Sequence, residues 1–202
     1  PFYMVCYSYN GGETKISADL SSYMNGYQDP RREIYGVTST FDESENITNG
    51  FHGLRVGNEY PIKTGQCYSN VKVEVSSPIM WMNAAEVMFL RAEAALRGWD
   101  TEKTPKAYYE AGIRLSFEQL GAKNVEDYLV STNTPESYKD PLGTYSFSGT
   151  PSTISVQWKD GNFEESLERI ITQKWIANFP LGLEAWAEFR RTGYPKLMGT
   201  AS

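Results

Sequence analysis

The rhythm of apolar and polar positions changes near residue 78. From Ala85 onward, Ala85, Met88, Phe89, Ala92, Ala95 and Leu96 recur at intervals of three and four. That is the period of one buried face of an α-helix. Asn83 and Glu86 stand in the spacing of a capping box, in which each side chain accepts an otherwise orphan N–H. Gly98 follows as the residue that takes up the left-handed turn closing a helix. A second helix is predicted from Thr104-Pro105, an N-cap followed by proline at the first helical position. Tyr109, Ile113, Phe117 and Leu120 form its apolar stripe, and Gly121 closes it. Two such helices joined by a short loop predict an antiparallel hairpin. Ala92, Ala95, Ala111 and Gly112 are small enough to let the pair approach closely. With its length of roughly 34 residues, the unit resembles a tetratricopeptide repeat. Further on, Leu167, Ile170, Ile171, Trp175 and Phe179 predict a helix from Glu164 to Asn178, broken by Pro180 and Gly182. A last short helix runs from Leu183 to Arg191 and ends at Gly193-Tyr194-Pro195.

The first 78 residues read differently. Turn signals crowd them: Asn10-Gly11-Gly12, Asn25-Gly26, Asp29-Pro30, Asn49-Gly50 and Gly57-Asn58. The alternation Val71-Lys72-Val73-Glu74-Val75 predicts a short strand, and the rest reads as loops. Residues 131–162 return to Ser, Thr, Pro and Gly, which predicts a long loop with one short strand at Ile154-Ser155-Val156; so long a loop is usually functional or draped over the surface. The expected fold is mainly α, with a loop-rich, short-strand segment over 1–78 and a helical segment over 79–202.

Composition narrows the function classes. The 202 residues suffice for one domain to bury roughly 70% of its unfolded surface. The net charge of −6 is spread over mixed signs with no run of five like charges, so neither a nucleic-acid groove nor a polybasic membrane patch is expected. No stretch of 18 apolar residues suggests a transmembrane helix. Pro1 to Val5 has no signal-peptide character and reads as a chain already under way. Aromatic residues make up 14% of the chain, a content that serves wet binding surfaces and cores alike. Cys6 and Cys67 fit either one disulfide or two buried thiols.

Several stretches, in order along the chain, resemble SusD/RagB-like proteins. They are Ser22-Tyr23-Met24-Asn25-Gly26-Tyr27-Gln28-Asp29-Pro30-Arg31, the run from Ala85 to Trp99, and Tyr109-Glu110-Ala111-Gly112-Ile113. Thr172-Gln173-Lys174-Trp175-Ile176-Ala177, Glu184-Ala185-Trp186 and Arg190-Arg191-Thr192-Gly193-Tyr194-Pro195 are similar to that family's terminal segment. The resemblance implies the C-terminal portion of a surface-exposed outer-membrane lipoprotein of the Bacteroidetes type, with a helical scaffold and a loop-rich ligand face. It implies an oligosaccharide ligand, a TonB-dependent SusC-type transporter as partner, and a lipid anchor upstream of this chain, since neither Cys6 nor Cys67 sits in a lipobox-like setting. A peptide-binding RagB-type member is the alternative within the family. A tetratricopeptide-type protein-interaction scaffold is the alternative outside it.

Enzyme chemistry finds little footing. His52 is the only histidine, and no Gly-x-Ser-x-Gly elbow, Walker loop or Cys-x-x-Cys pair is present. Neither a cofactor nor a metal is expected; Asp160-Gly161-Asn162 with Glu164 lacks a full calcium-loop pattern and reads as a turn plus N-cap. Trp99, Trp175 and Trp186 read as core. Asp29-Pro30-Arg31 reads as a turn with a paired arginine, and Arg190-Arg191 as a structural lock. The loop Phe51 to Tyr60 stands apart. It sets aromatic, cationic and amide groups between glycines, outside any helical period. An aromatic ring covers the C–H face of a sugar, and Arg, Asn or His hydrogen-bonds its hydroxyl rim. Phe51, His52, Arg55, Asn58, Tyr60 and Tyr68 are therefore the expected ligand-binding residues.

Overall fold

The computed structural model describes residues 2–43, 46–59, 62–99 and 101–201. The chain is mainly helical, and its elements gather into two compact units. One comprises Pro1–Ile79, Pro135–Pro151 and Leu197–Ser202, the other Met80–Thr134 and Ser152–Lys196.

The second unit contains the expected hairpin, α3 (Ala84–Leu96) and α4 (Pro105–Leu120); the numbering leaves α1 and α2 (Ala18–Gly26 and Arg32–Tyr35) for the other unit. Asn83 Oδ1 accepts the Ala85 N–H at 2.9 Å, and Thr104 Oγ1 accepts that of Ala107 at 3.2 Å. Gly98 and Gly121 take φ of +75° and +66°, the left-handed conformation that closes each helix. Half of the expected capping box is spent elsewhere. The Glu86 carboxylate pairs with Lys174 Nζ at 3.2 Å and accepts from Asn178 Nδ2 at 3.0 Å. Between the helices, Ala85, Phe89 and Ala92 meet Tyr109, Ile113 and Phe117, all buried. Gly112 permits this approach, because a Cβ there would stand 2.8 Å from the Phe89 ring.

A short α5 (Val125–Leu129) leads to α6 (Phe163–Ala177), which Asn162 caps by accepting the Glu165 N–H at 2.8 Å. Asp160-Gly161-Asn162 is thus a turn and a cap. The expected strand at Ile154-Ser155-Val156 does not form. Its carbonyls are claimed by side chains instead: Tyr109 Oη donates to Val156 O at 2.6 Å and Arg169 Nε to Ser155 O at 3.1 Å. The last helix, α7 (Gly182–Thr192), buries none of its residues. Charges attach it. Lys174 Nζ reaches Glu188 at 2.8 Å, and Arg191 meets both Glu93 oxygens at 2.6 Å and Glu188 at 2.6 Å. The expected lock is therefore made by Arg191.

Two of the three tryptophans expected in the core are outside it: Trp99 is 66% exposed and Trp186 57%, while Trp175 is half-buried. Trp99 follows the closing glycine and so leaves the helical face. Trp186 lies on the side of α7 away from its salt bridges.

In the first unit, α1 is capped by Ser17, whose Oγ accepts the Leu20 N–H at 3.2 Å. All residues from Ala18 to Met24 are buried, so the sequence offers no amphipathic period by which to read this helix. Asp29 Oδ1 accepts from Arg31 N and from Arg31 Nε, each at 2.9 Å, in a pair wholly withdrawn from solvent. A hairpin of β1 (Ser39–Glu43) and β2 (Asn46–Gly50) pairs Ser39 with Gly50 and Phe41 with Thr48. The expected strand at Val71–Val75 shrinks to a single bridge between Gly36 and Val71, since beyond it the chain turns at Glu74–Ser77 and Val75 is 76% exposed. Cys6 and Cys67 are both buried, free thiols.

Candidate functional site

The first unit holds a cavity of about 270 Å³ lined by α1, the loop after β2 and the segment 136–139. Ser21 and Asn25, four residues apart, share the α1 face that lines it. Asn25 Nδ2 donates to Phe51 O at 2.9 Å and so ties the loop to the helix. The His52 backbone is clamped on both sides by Ser69: His52 N donates to Ser69 Oγ at 3.0 Å, and Ser69 N donates to His52 O at 2.7 Å. The His52 imidazole lies over Gly50, where a Cβ would stand 2.6 Å from Nε2. Glu136, Ser137, Tyr138 and Lys139 form the opposite wall. The Ser22 hydroxyl donates to Glu136 O, and Glu136 N donates to Ser22 O at 3.1 Å. Tyr138 Oη donates to Gly53 O at 2.7 Å. At Gly53 a Cβ would run into the Ser17 carbonyl, so only glycine fits there.

Two of the expected residues, Phe51 and His52, line this cavity. Arg55, Asn58 and Tyr68 have their polar groups turned to the protein. Arg55 donates to Gly199 O at 3.0 Å, Tyr145 O at 3.0 Å and Ser146 O at 3.2 Å, with its guanidinium 5.3 Å from the Phe147 ring centre. Asn58 Nδ2 donates to Tyr68 Oη at 2.9 Å, and Tyr68 Oη donates to Asp140 Oδ1 at 2.8 Å. Burial, with the neighbouring Asp140 carboxylate second, pushes the Tyr68 and Tyr138 phenols far above their usual range. Both therefore remain donors. Tyr60 lies outside the described residues.

Burial also raises the Asp19 carboxyl, against the opposing pull of the Met198 N–H and of Arg55. Ser21, Asn25, Glu136, Ser137, Tyr138 and Lys139 escaped the sequence reading. The signal for the last four was the length of the loop around them; Ser21 and Asn25 sit on a helix without a legible period. The cavity is lined by the Phe51 ring, only 8% exposed, and by an imidazole, hydroxyls, an amide, a carboxylate and an ammonium. Its volume is just under the roughly 300–1,000 Å³ usual for small-molecule sites. Among the described residues, no group of three or more His, Cys, Asp or Glu is placed to hold a metal ion, and no helix is long and apolar enough to cross a membrane.

Comparison with known proteins gives a consistent outcome. The sequence matches the SusD-like family, described as SusD and RagB outer membrane lipoprotein, over residues 1–202. A SusD homologue from Bacteroides thetaiotaomicron VPI-5482 is 45% identical, with a TM-score of 0.91 over 98% of this chain and 42% of its own. One from Bacteroides uniformis ATCC 8492 is 47% identical, with a TM-score of 0.89 over 100% of this chain and 42% of its own. A chitin-binding SusD homologue from Flavobacterium johnsoniae is 42% identical, with a TM-score of 0.83 over 92% of this chain and 38% of its own. This chain thus spans less than half the length of these solved relatives. Comparison with curated proteins finds no match.

Proposed function

The chain belongs to the SusD-like family of outer-membrane lipoproteins, and on that premise we propose that it binds glycans at the cell surface, leaves them intact, and passes them to a SusC-type TonB-dependent transporter. The observation that carries this reading is the cavity where Phe51 and His52 face Glu136, Ser137 and Lys139. The small exposed part of the Phe51 ring and the surrounding donors and acceptors suit the apolar face and hydroxyl rim of a sugar. Arg55, Asn58 and Tyr68 serve the same site from behind, by fixing the loop that presents Phe51 and His52. Binding without cleavage accords with the lining. Among the described residues Glu136 is its one carboxylate, whereas glycoside hydrolysis uses two, about 5–9.5 Å apart.

The relative that binds chitin makes chitooligosaccharides the first ligands to test, alongside a wider glycan array with peptides included. In calorimetric titration, Phe51→Ala and His52→Ala should each weaken binding by about tenfold, equivalent to about 1.4 kcal/mol. Tyr60→Ala belongs in the same series. Chromatography of the incubated ligand should find it unchanged. Undiminished binding by both cavity variants, capture of peptides in place of glycans, or release of shorter products would each defeat the proposal.

A further inference from the structure

The residues that line the cavity differ in what their polar groups already do. On the α1 side those groups are taken. Ser21 Oγ donates to Ala18 O at 3.0 Å, and Asn25 donates to Phe51 O at 2.9 Å while accepting from Arg32 Nη1 at 3.3 Å. Tyr138 Oη is spent on Gly53 O at 2.7 Å. The rest of the segment 136–139 is the reverse. Its backbone is fixed by the paired bonds between Ser22 and Glu136. Yet among the described residues the Glu136 carboxylate, the Ser137 hydroxyl and the Lys139 ammonium bond to no protein group, and Glu136 and Lys139 do not pair with each other. One wall of the cavity therefore holds an unspent acceptor and an unspent donor of opposite charge.

An ionised carboxylate only accepts hydrogen bonds, and an ammonium only donates them. A ligand cation would satisfy Glu136 but meet the like charge of Lys139, and a ligand anion would do the converse. The wall thus favours a neutral group with a donor at one end and an acceptor at the other. A secondary amide is such a group: its N–H donates, its C=O accepts, and its dipole is about 3.5 D. A hydroxyl can turn to meet either residue but offers no fixed dipole to span both. The acetamido substituent of an amino sugar adds a methyl, which suits the small part of Phe51 left uncovered, 8% of the residue. Building on the reading of this cavity as a glycan site, we propose that Glu136 and Lys139 make it selective for an acetamido sugar. Glu136 accepts from the acetamido N–H, Lys139 donates to its carbonyl, and the methyl rests on Phe51. The Ser137 hydroxyl, which both donates and accepts, is left for a hydroxyl of the ring.

The test is calorimetric titration of the polypeptide at its native length with matched disaccharides that differ only in the substituent: diacetylchitobiose, its deacetylated amine, and cellobiose. A second set on the galactose configuration accompanies them. The acetylated sugar should bind about tenfold tighter than either counterpart. Glu136→Ala and Lys139→Ala should each erase most of that preference and change cellobiose binding less than about threefold. Both side chains are exposed and bond to nothing else in the described protein, so thermal unfolding should stay near wild type. Equal binding of acetylated and unacetylated sugars, or a preference that survives both substitutions, would overturn the selectivity while leaving the glycan site standing. An acetylated dipeptide bound as tightly as the acetylated sugar would assign the cavity to peptides and overturn it too. Failure of every sugar, with an empty glycan array, would defeat the glycan reading itself and this selectivity with it.

Discussion

His52 owes its position to residues outside the cavity lining. Ser69 clamps its backbone, and Gly50 leaves room for its ring. Gly50→Ala should therefore displace the imidazole and weaken glycan binding severalfold, while the melting temperature moves little; equal affinity in calorimetry would refute this. Arg55 should behave in the opposite way. It donates to carbonyls of Tyr145, Ser146 and Gly199, and losing charged hydrogen bonds of this kind costs about 1–3 kcal/mol. Arg55→Ala should lower the midpoint of denaturant unfolding accordingly. By sequence both residues share one loop and one purpose, because loop composition reports chemical type and not direction. The tryptophans teach the same lesson. Trp99 and Trp186 have periodic neighbours, but a residue past a closing glycine, or opposite a row of ion pairs, does not inherit its neighbours' burial.

Among the elements, the α3–α4 hairpin was legible almost to the residue, since caps, closing glycines and a period of 3.6 all agreed. Its packing is tight enough to test. Phe89→Ala removes a wholly buried ring and should cost about 3–5 kcal/mol. Gly112→Ala presses a methyl against that same ring, and overpacking of this kind costs about 1–3 kcal/mol; denaturant titration reads both. α7 adds a pH dependence. Burial opposes ionisation of Glu93, but hydrogen bonds from Arg191 and Arg97 outweigh it and hold the carboxyl below its ordinary value. Because the folded value is depressed, the stabilisation is present above the unfolded value near 4.3 and is lost as pH falls through the lower folded one. The gap in melting temperature between wild type and Glu93→Gln should be open at about pH 7 and close below about pH 4. A gap independent of pH would refute the assignment. By contrast, α1 and β1–β2 escaped the sequence reading: α1 is buried all round, and the hairpin lies among turn signals that read as loop.

At the scale of the whole molecule, the helical class and the family were legible, because periodic faces and long motifs survive without knowledge of tertiary contacts. The cavity was only half legible, since its walls come from stretches more than eighty residues apart in the chain: Phe51 and His52 on one side, 136–139 on the other. The unit that holds it also takes back residues 197–201. There the Met198 N–H reaches Asp19 Oδ1 at 2.7 Å, Gly199 O receives Arg55, and the Ala201 N–H reaches Val56 O at 2.7 Å. This arrangement has a consequence in time. Synthesis delivers residues 1–79 well before the residues 198–201 that bond back to Asp19, Arg55 and Val56. At about 5–20 residues per second, the interval between residue 79 and residue 197 is roughly 6–24 s. For that interval the first unit is a nascent, aggregation-prone body awaiting its clasp, and a holding chaperone would find it open. Chains halted before residue 197 should remain cleavable by protease within 1–79, whereas chains carried past residue 201 should resist.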